Sequence, residues 1–221
     1  MTDLLPKHGG YRKLISFQVS QLIYDITVRF CEHYIDRFSR TRDQMTQAAR
    51  SGVQNIAEGS QVSATSKKME LKLTQVARAS LEELRLDYED FLRQRRMPKL
   101  EPQHPALMRF KELRCKTLEE FQGWVAGERE REKRKKNMDK HGRKTTGETD
   151  NENPGVVQVS AGPCSPLSSS CLAANGVLSL LNVATYLLDR QVDRLAKDFE
   201  SKGGFTERLY KIRSAKRKIG S

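Results

Sequence analysis

The sequence predicts an all-α protein, an antiparallel up-down-up-down four-helix bundle with a helical and disordered insertion between the third and fourth bundle helices. Three observations lead there. Long segments repeat apolar residues every three or four positions, the period of an amphipathic helix. Polar breaks carrying helix-capping residues separate them. The last segment keeps a seven-residue repeat, the pattern that supercoiled helix packing requires.

The first helix is expected over about 12–38, where Ile15, Val19, Leu22, Ile26, Phe30 and Tyr34 form one stripe. At about 1.5 Å per residue it would be roughly 40 Å long. Ser39 to Asp43 breaks the pattern, and Thr41 is the expected cap of a second helix over about 42–62. That helix offers a narrow face of small residues, Ala48, Ala49, Gly52, Val53 and Ala57, with Met45 and Ile56. Ser66, followed by Glu70 in the first turn, caps a third helix over about 67–95. Its stripe is Leu73, Ala77, Leu81, Leu84, Tyr88 and Phe91, and Pro98 and Pro102 mark its end.

These three helices make up a unit over 1–100, and an insertion follows over 101–170. Leu107, Phe110, Leu113, Thr117, Phe121 and Trp124 predict one extra helix from about Pro105 to Gly127. The alternating charges from Glu128 to Lys136 read as a solvated helical extension or the start of disorder. From Asp139 to about Ser170 the Gly, Ser, Thr, Asn and Pro content predicts a flexible loop. The fourth bundle helix is expected over 171–204, on Leu178, Leu181, Thr185, Leu188, Val192, Leu195 and Phe199, and 205–221 is a basic tail.

Forty Lys and Arg against 28 Asp and Glu give a net charge of +12, which favours nucleic acid, an anionic surface or an acidic partner. Cys31, Cys115, Cys164 and Cys171 lack the spacing of a zinc site or a disulfide framework and read as free thiols. Residues Met1 to Lys7 contain no apolar core of a signal peptide, so a cytoplasmic location is expected. The apolar run from Cys171 to Leu188 contains Asn175 and Asn182, and its periodicity favours a bundle seam over a membrane span.

The chain has no Glu-x-x-His pair of a carboxylate metal site, no G-x-S-x-G elbow, no glycine-rich phosphate loop and no H-E-x-x-H. No enzyme, metal or cofactor is therefore expected. Ser51, Asn55 and Glu58 share one helical stripe, a polar groove or a hydrogen-bonded set that fixes helix register; with Gly59 and Glu83 they make up a structural polar motif. Arg37, Arg40, Arg42 and Arg50, with Lys67, Lys68 and Lys72, are the candidate phosphate contacts. Phe17, Phe30, Tyr34, Tyr88 and Phe91 fit core positions, so phosphate contact is expected to dominate over base stacking.

At Asn55-Ile-Ala-Glu-Gly59 the chain resembles the four-helix bundle family of the 23S rRNA intervening-sequence proteins, which includes the accessory variability determinant proteins of diversity-generating retroelements. The resemblance extends over Gln44 to Glu58 and Val76 to Leu84. It implies a left-handed antiparallel bundle, a pentameric ring and a positively charged surface used on RNA or DNA. For the retroelement members it also implies a reverse transcriptase as partner. A non-enzymatic, oligomeric nucleic-acid-binding accessory protein is the leading expectation, and a protein-interaction scaffold the second.

Overall fold

A computed structural model of the chain describes residues 10–142 and 167–202, together with Tyr210 and Ser214. The described residues form six α-helices and no strand: α1 (Ile15–Tyr34), α2 (Arg40–Val62), α3 (Lys67–Gln94), α4 (Pro105–Leu113), α5 (Leu118–Gly142) and α6 (Ser169–Lys202). A single 3-10 turn, Tyr11–Lys13, precedes α1. The helices α1, α2, α3 and α6 pack in a closed cycle, α1 on α2, α2 on α3, α3 on α6 and α6 on α1. The α4–α5 hairpin lies against α1 and α6.

α1 buries Leu22, Ile26 and Phe30 of the predicted stripe and half-buries Val19 and Tyr34, but the buried face extends to one side of it. Ile15 is 63% exposed, whereas Ser16, Ser20 and Thr27 are buried beside Phe17, Ile23 and Phe30. Flanked by α2 and α6, the helix buries a wider face than an apolar count reveals. Thr27 donates to the Ile23 carbonyl at 2.7 Å and accepts from the Tyr88 hydroxyl at 3.1 Å, so this buried pair is satisfied.

The cap of α2 is Ser39, not Thr41. The Ser39 Oγ accepts from the Thr41 amide at 3.3 Å, and the helix starts two residues earlier than expected. The small-residue face meets α3 as its composition requires: a Cβ on Gly52 would stand 2.6 Å from Leu81 Cδ2. Gly52 lies beside Leu81 and Gly59 beside Leu73, so the two helices run antiparallel. Ser66 caps α3 as expected, accepting from the Met69 amide at 3.2 Å.

α3 and α6 also run antiparallel, clamped by Arg78 to Asp189 and by Arg85 to Asn182 and Thr185. Both clasps lie along the edge of a seam in which Leu181, Thr185, Leu188 and Leu195 are buried, while Val192 and Phe199 are half-buried.

The helix expected over 105–127 is broken. Arg114 adopts a left-handed conformation (φ 48°) that ends α4, and Thr117 starts α5. The Thr117 hydroxyl accepts from the Glu120 amide at 3.3 Å, while the Glu120 carboxylate accepts from the Lys116 and Thr117 amides. This reciprocal cap outcompetes the apolar periodicity that ran through it. Folding back brings Phe110, Phe121 and Trp124 together, with ring centroids 4.6 to 5.7 Å apart. Their edges fill the space over Gly176, where a Cβ would lie 2.8 Å from both Phe121 and Trp124.

The charged run from Glu128 to Lys136 is helical, a continuation of α5. Glu128 itself is buried and bridged by Arg109 through both carboxylate oxygens, at 2.7 and 2.6 Å. Of the expected loop over 139–170, residues 139–142 are helical, Leu167 is buried and α6 begins at Ser169. Residues 143–166 of that loop lie outside the described residues, as does the basic tail apart from Tyr210 and Ser214. α6 is long and apolar enough to cross a membrane, and 67% of its most apolar window is buried inside the protein.

Candidate nucleic-acid interface

One end of the molecule gathers the C-termini of α1 and α3 and the N-termini of α2 and α6. Cys31 meets Met45 at 3.9 Å, Phe30 stacks edge-on with Phe91 at 4.8 Å, and the hydroxyls of Ser168 and Ser170 reach Met97 Sδ at 3.8 Å. Two helix N-termini and two C-termini leave little net dipole, so side chains set the charge here.

The connection between α1 and α2 is a tight turn. Buried Ile35 anchors it, the Asp36 carboxylate accepts from the Phe38 amide at 2.7 Å, and the Asp36 carbonyl accepts from the Ser39 amide at 3.0 Å. Arg37 lies over the Phe38 ring, its guanidinium carbon 4.5 Å from the centroid. Arg40 is exposed and Arg42 half-buried in the first turn of α2.

α3 ends beside this turn. The Met97 amide bonds back to the Leu92 carbonyl at 2.9 Å and the Arg96 amide to the Arg93 carbonyl at 3.1 Å, with Arg96 left-handed at φ 53°. This is the closing pattern that glycine ordinarily supplies. An arginine there keeps a cation on the surface at the cost of backbone strain. Arg95 stacks over Phe91, 4.0 Å from its centroid. The chain beyond is pinned by buried Asn175, which accepts from the Leu100 amide at 2.7 Å and donates to the Pro98 carbonyl at 3.0 Å.

The carboxylates near this end are largely engaged: Glu32 by Arg29, Glu89 by Lys99, Asp90 by Arg93. Asp43 remains exposed. Among the described residues no carboxylate pairs with Arg37, Arg40, Arg42, Arg95 or Arg96. α5 runs toward the same end, since Arg129 donates to the Leu167 carbonyl at 2.7 Å just ahead of α6. Beyond Arg129 it continues for about 20 Å, carrying exposed Arg131, Lys133, Arg134 and Lys135.

The seven predicted phosphate contacts do not share one surface. Lys67, Lys68 and Lys72 stand at the start of α3, separated from Arg37, Arg40 and Arg42 by the length of α2, about 35 Å. Lys67 is also held by Glu70 at 2.7 Å. Arg50 is exposed midway along α2. In the polar motif, Asn55 donates to the Ser51 carbonyl of its own helix at 2.8 Å, and Gln47 reaches the Ser51 hydroxyl at 3.4 Å. Glu58 and Glu83 are exposed, and Gly59 is buried against Glu70 and Leu73. Sequence reasoning missed Arg95, Arg96 and Phe38; the signal available was their position at helix ends.

Cys31 and Cys115 are free thiols, Cys171 is buried, and Cys164 lies outside the described residues. Burial pushes Cys31 up to about 11, against a weaker opposing hydrogen bond with Thr46. Among the described residues no group of three or more His, Cys, Asp or Glu is placed to hold a metal. Compared with protein-family models, with curated proteins and with solved structures, the chain gives no match.

Proposed function

We propose that the protein is a non-enzymatic nucleic-acid-binding accessory protein, built on an antiparallel up-down-up-down four-helix bundle of α1, α2, α3 and α6. The closed packing cycle and the antiparallel pairs support the architecture. The observation that carries the function is the cluster of arginines without carboxylate partners among the described residues at one bundle end, next to the basic extension of α5. Such sets bind phosphodiester backbones by displacing counterions, with no need to read sequence.

The resemblance to the 23S rRNA intervening-sequence and accessory variability determinant proteins rests on α2 and α3. From it we take self-association, as a homopentamer, and a reverse transcriptase as candidate protein partner. Exposed apolar Leu86, Val183 and Tyr186 favour some protein contact, with a second copy or with a scaffolded partner. No membrane role is proposed for α6, most of whose apolar window is buried inside the protein.

The test compares the two ends. Neutralising Arg37, Arg40 and Arg96 to Gln should weaken RNA or DNA binding and lower the salt slope by roughly 2 to 3. Lys68→Gln with Lys72→Gln, at the far end, should change either quantity little. Equal losses from the triple and the double variant would remove the assignment to this end.

A further inference from the structure

The strongest unexplained feature of this end is Phe38. It is 80% exposed, the most exposed large apolar side chain among the described residues. Its position is not that of a loose loop. Ile35 is buried one residue before Asp36, whose side chain and carbonyl bind the amides of Phe38 and Ser39, and Ser39 then caps α2. The ring is held outward by a turn tied on both sides, and Arg37 lies over it at 4.5 Å. Arg40 follows within one turn of helix, and Arg42 within two residues more.

An aromatic face flanked by cations that have no carboxylate partner among the described residues fits a nucleobase and the phosphates on either side of it. A base in a duplex has both faces covered by its neighbours; an unpaired base has a face to offer. We propose that Phe38 is a stacking platform for an unpaired base, so that the ligand at this end is single-stranded or looped nucleic acid. This rests on the nucleic-acid reading above and narrows its substrate. The base takes the ring face away from Arg37, while Arg37 and Arg40 hold the adjoining phosphates. Stacking of this kind is tolerant of base identity, so the preference is for unpaired strands and not for a sequence.

The test uses three labelled probes in anisotropy titrations of the full chain: a short single-stranded oligonucleotide, an abasic phosphodiester strand of the same length, and a duplex. The abasic strand keeps the phosphates and removes only the stacking partner. The wild type should bind the base-bearing strand more tightly than the abasic one. Phe38→Ala should cost the base-bearing strand about 5- to 100-fold and change abasic and duplex affinity by less than about twofold, with the salt slope kept. Because the side chain is exposed, this variant should fold, and unchanged circular dichroism checks that it does. Phe38→Trp should retain binding, and its fluorescence should be quenched by the base-bearing strand but not by the abasic one; buried Trp124 supplies a constant background. Equal affinity of the wild type for both single strands, or equal loss on both in Phe38→Ala, would overturn stacking while leaving phosphate binding intact. Failure of the wild type to bind any probe would overturn the nucleic-acid reading and this proposal with it.

Discussion

Asp87 shows how one side chain can work against the fold. It sits half-buried on α3, its Oδ2 has no hydrogen-bond partner among the described residues, and burial followed by the charges of Glu83 and Asp90 raises its carboxyl to about 6. A folded value above the unfolded one, near 4, means that the folded state holds the proton more tightly. The stability this confers is complete below about pH 4 and is lost as pH rises through about 6. Asp87→Asn should therefore raise the melting temperature at pH 8 and leave it nearly unchanged at pH 4; a lower melting temperature at pH 8 would contradict this. Single residues were the least legible scale in the sequence. Asp87 falls beside the apolar stripe of α3 and carries no mark of its burial. Phe38 could be read as the last apolar residue of α1, until the helix stopped at Tyr34 and left it on the turn. Arg96 stands where a glycine would have announced the helix end. Asn175, by contrast, was visible as a polar residue in an apolar run, although its partners, 75 and 77 residues earlier in the chain, were not.

At the scale of elements, periodicity located α1, α2, α3 and α6 to within a few residues, because each buries a continuous face against two neighbours. It failed between residues 105 and 127, where a nine-residue helix and the start of another happen to keep a common phase across the break. Thr117, which caps α5 with Glu120, falls in phase with the apolar residues and so reads as part of one continuous stripe. The second departure is Glu128, whose place in a run of alternating charge suggested solvent. It is instead the buried partner of Arg109, in an ion pair that helps tie α5 to α4. Removing Arg109 would leave that carboxylate buried without its bidentate partner. Arg109→Ala should destabilise by about 2–4 kcal/mol, less any relief from the nearby Arg131 at 3.7 Å. Arg109→Met combined with Glu128→Leu should recover most of the loss. Urea unfolding followed by the fluorescence of Trp124, which packs in the same hairpin, measures both. A double variant as unstable as the single one would show that the pair specifies the hairpin and does not merely neutralise itself.

Across the whole molecule, the net charge of +12 was legible as a bias toward polyanions, but its distribution was not. Sequence proximity grouped Arg37, Arg40 and Arg42 with Arg50 and the lysines of α3. Folding separates the arginines from the lysines by the length of a helix and brings Arg95, Arg96 and the α5 extension to the arginines' side. Ion pairing sharpens the contrast, since it engages the nearby Glu32, Glu89 and Asp90 and leaves the end arginines without carboxylate partners among the described residues. The measurement that bears most directly on this account is a titration of the full chain with RNA and DNA across a series of salt concentrations, with light scattering on the same sample. Binding whose logarithm falls linearly with the logarithm of salt, with a slope of about −3 or steeper, is the expected result. Affinity unchanged between low and high salt, or no binding at low salt, would contradict it and turn the arginine end into a surface for an acidic protein.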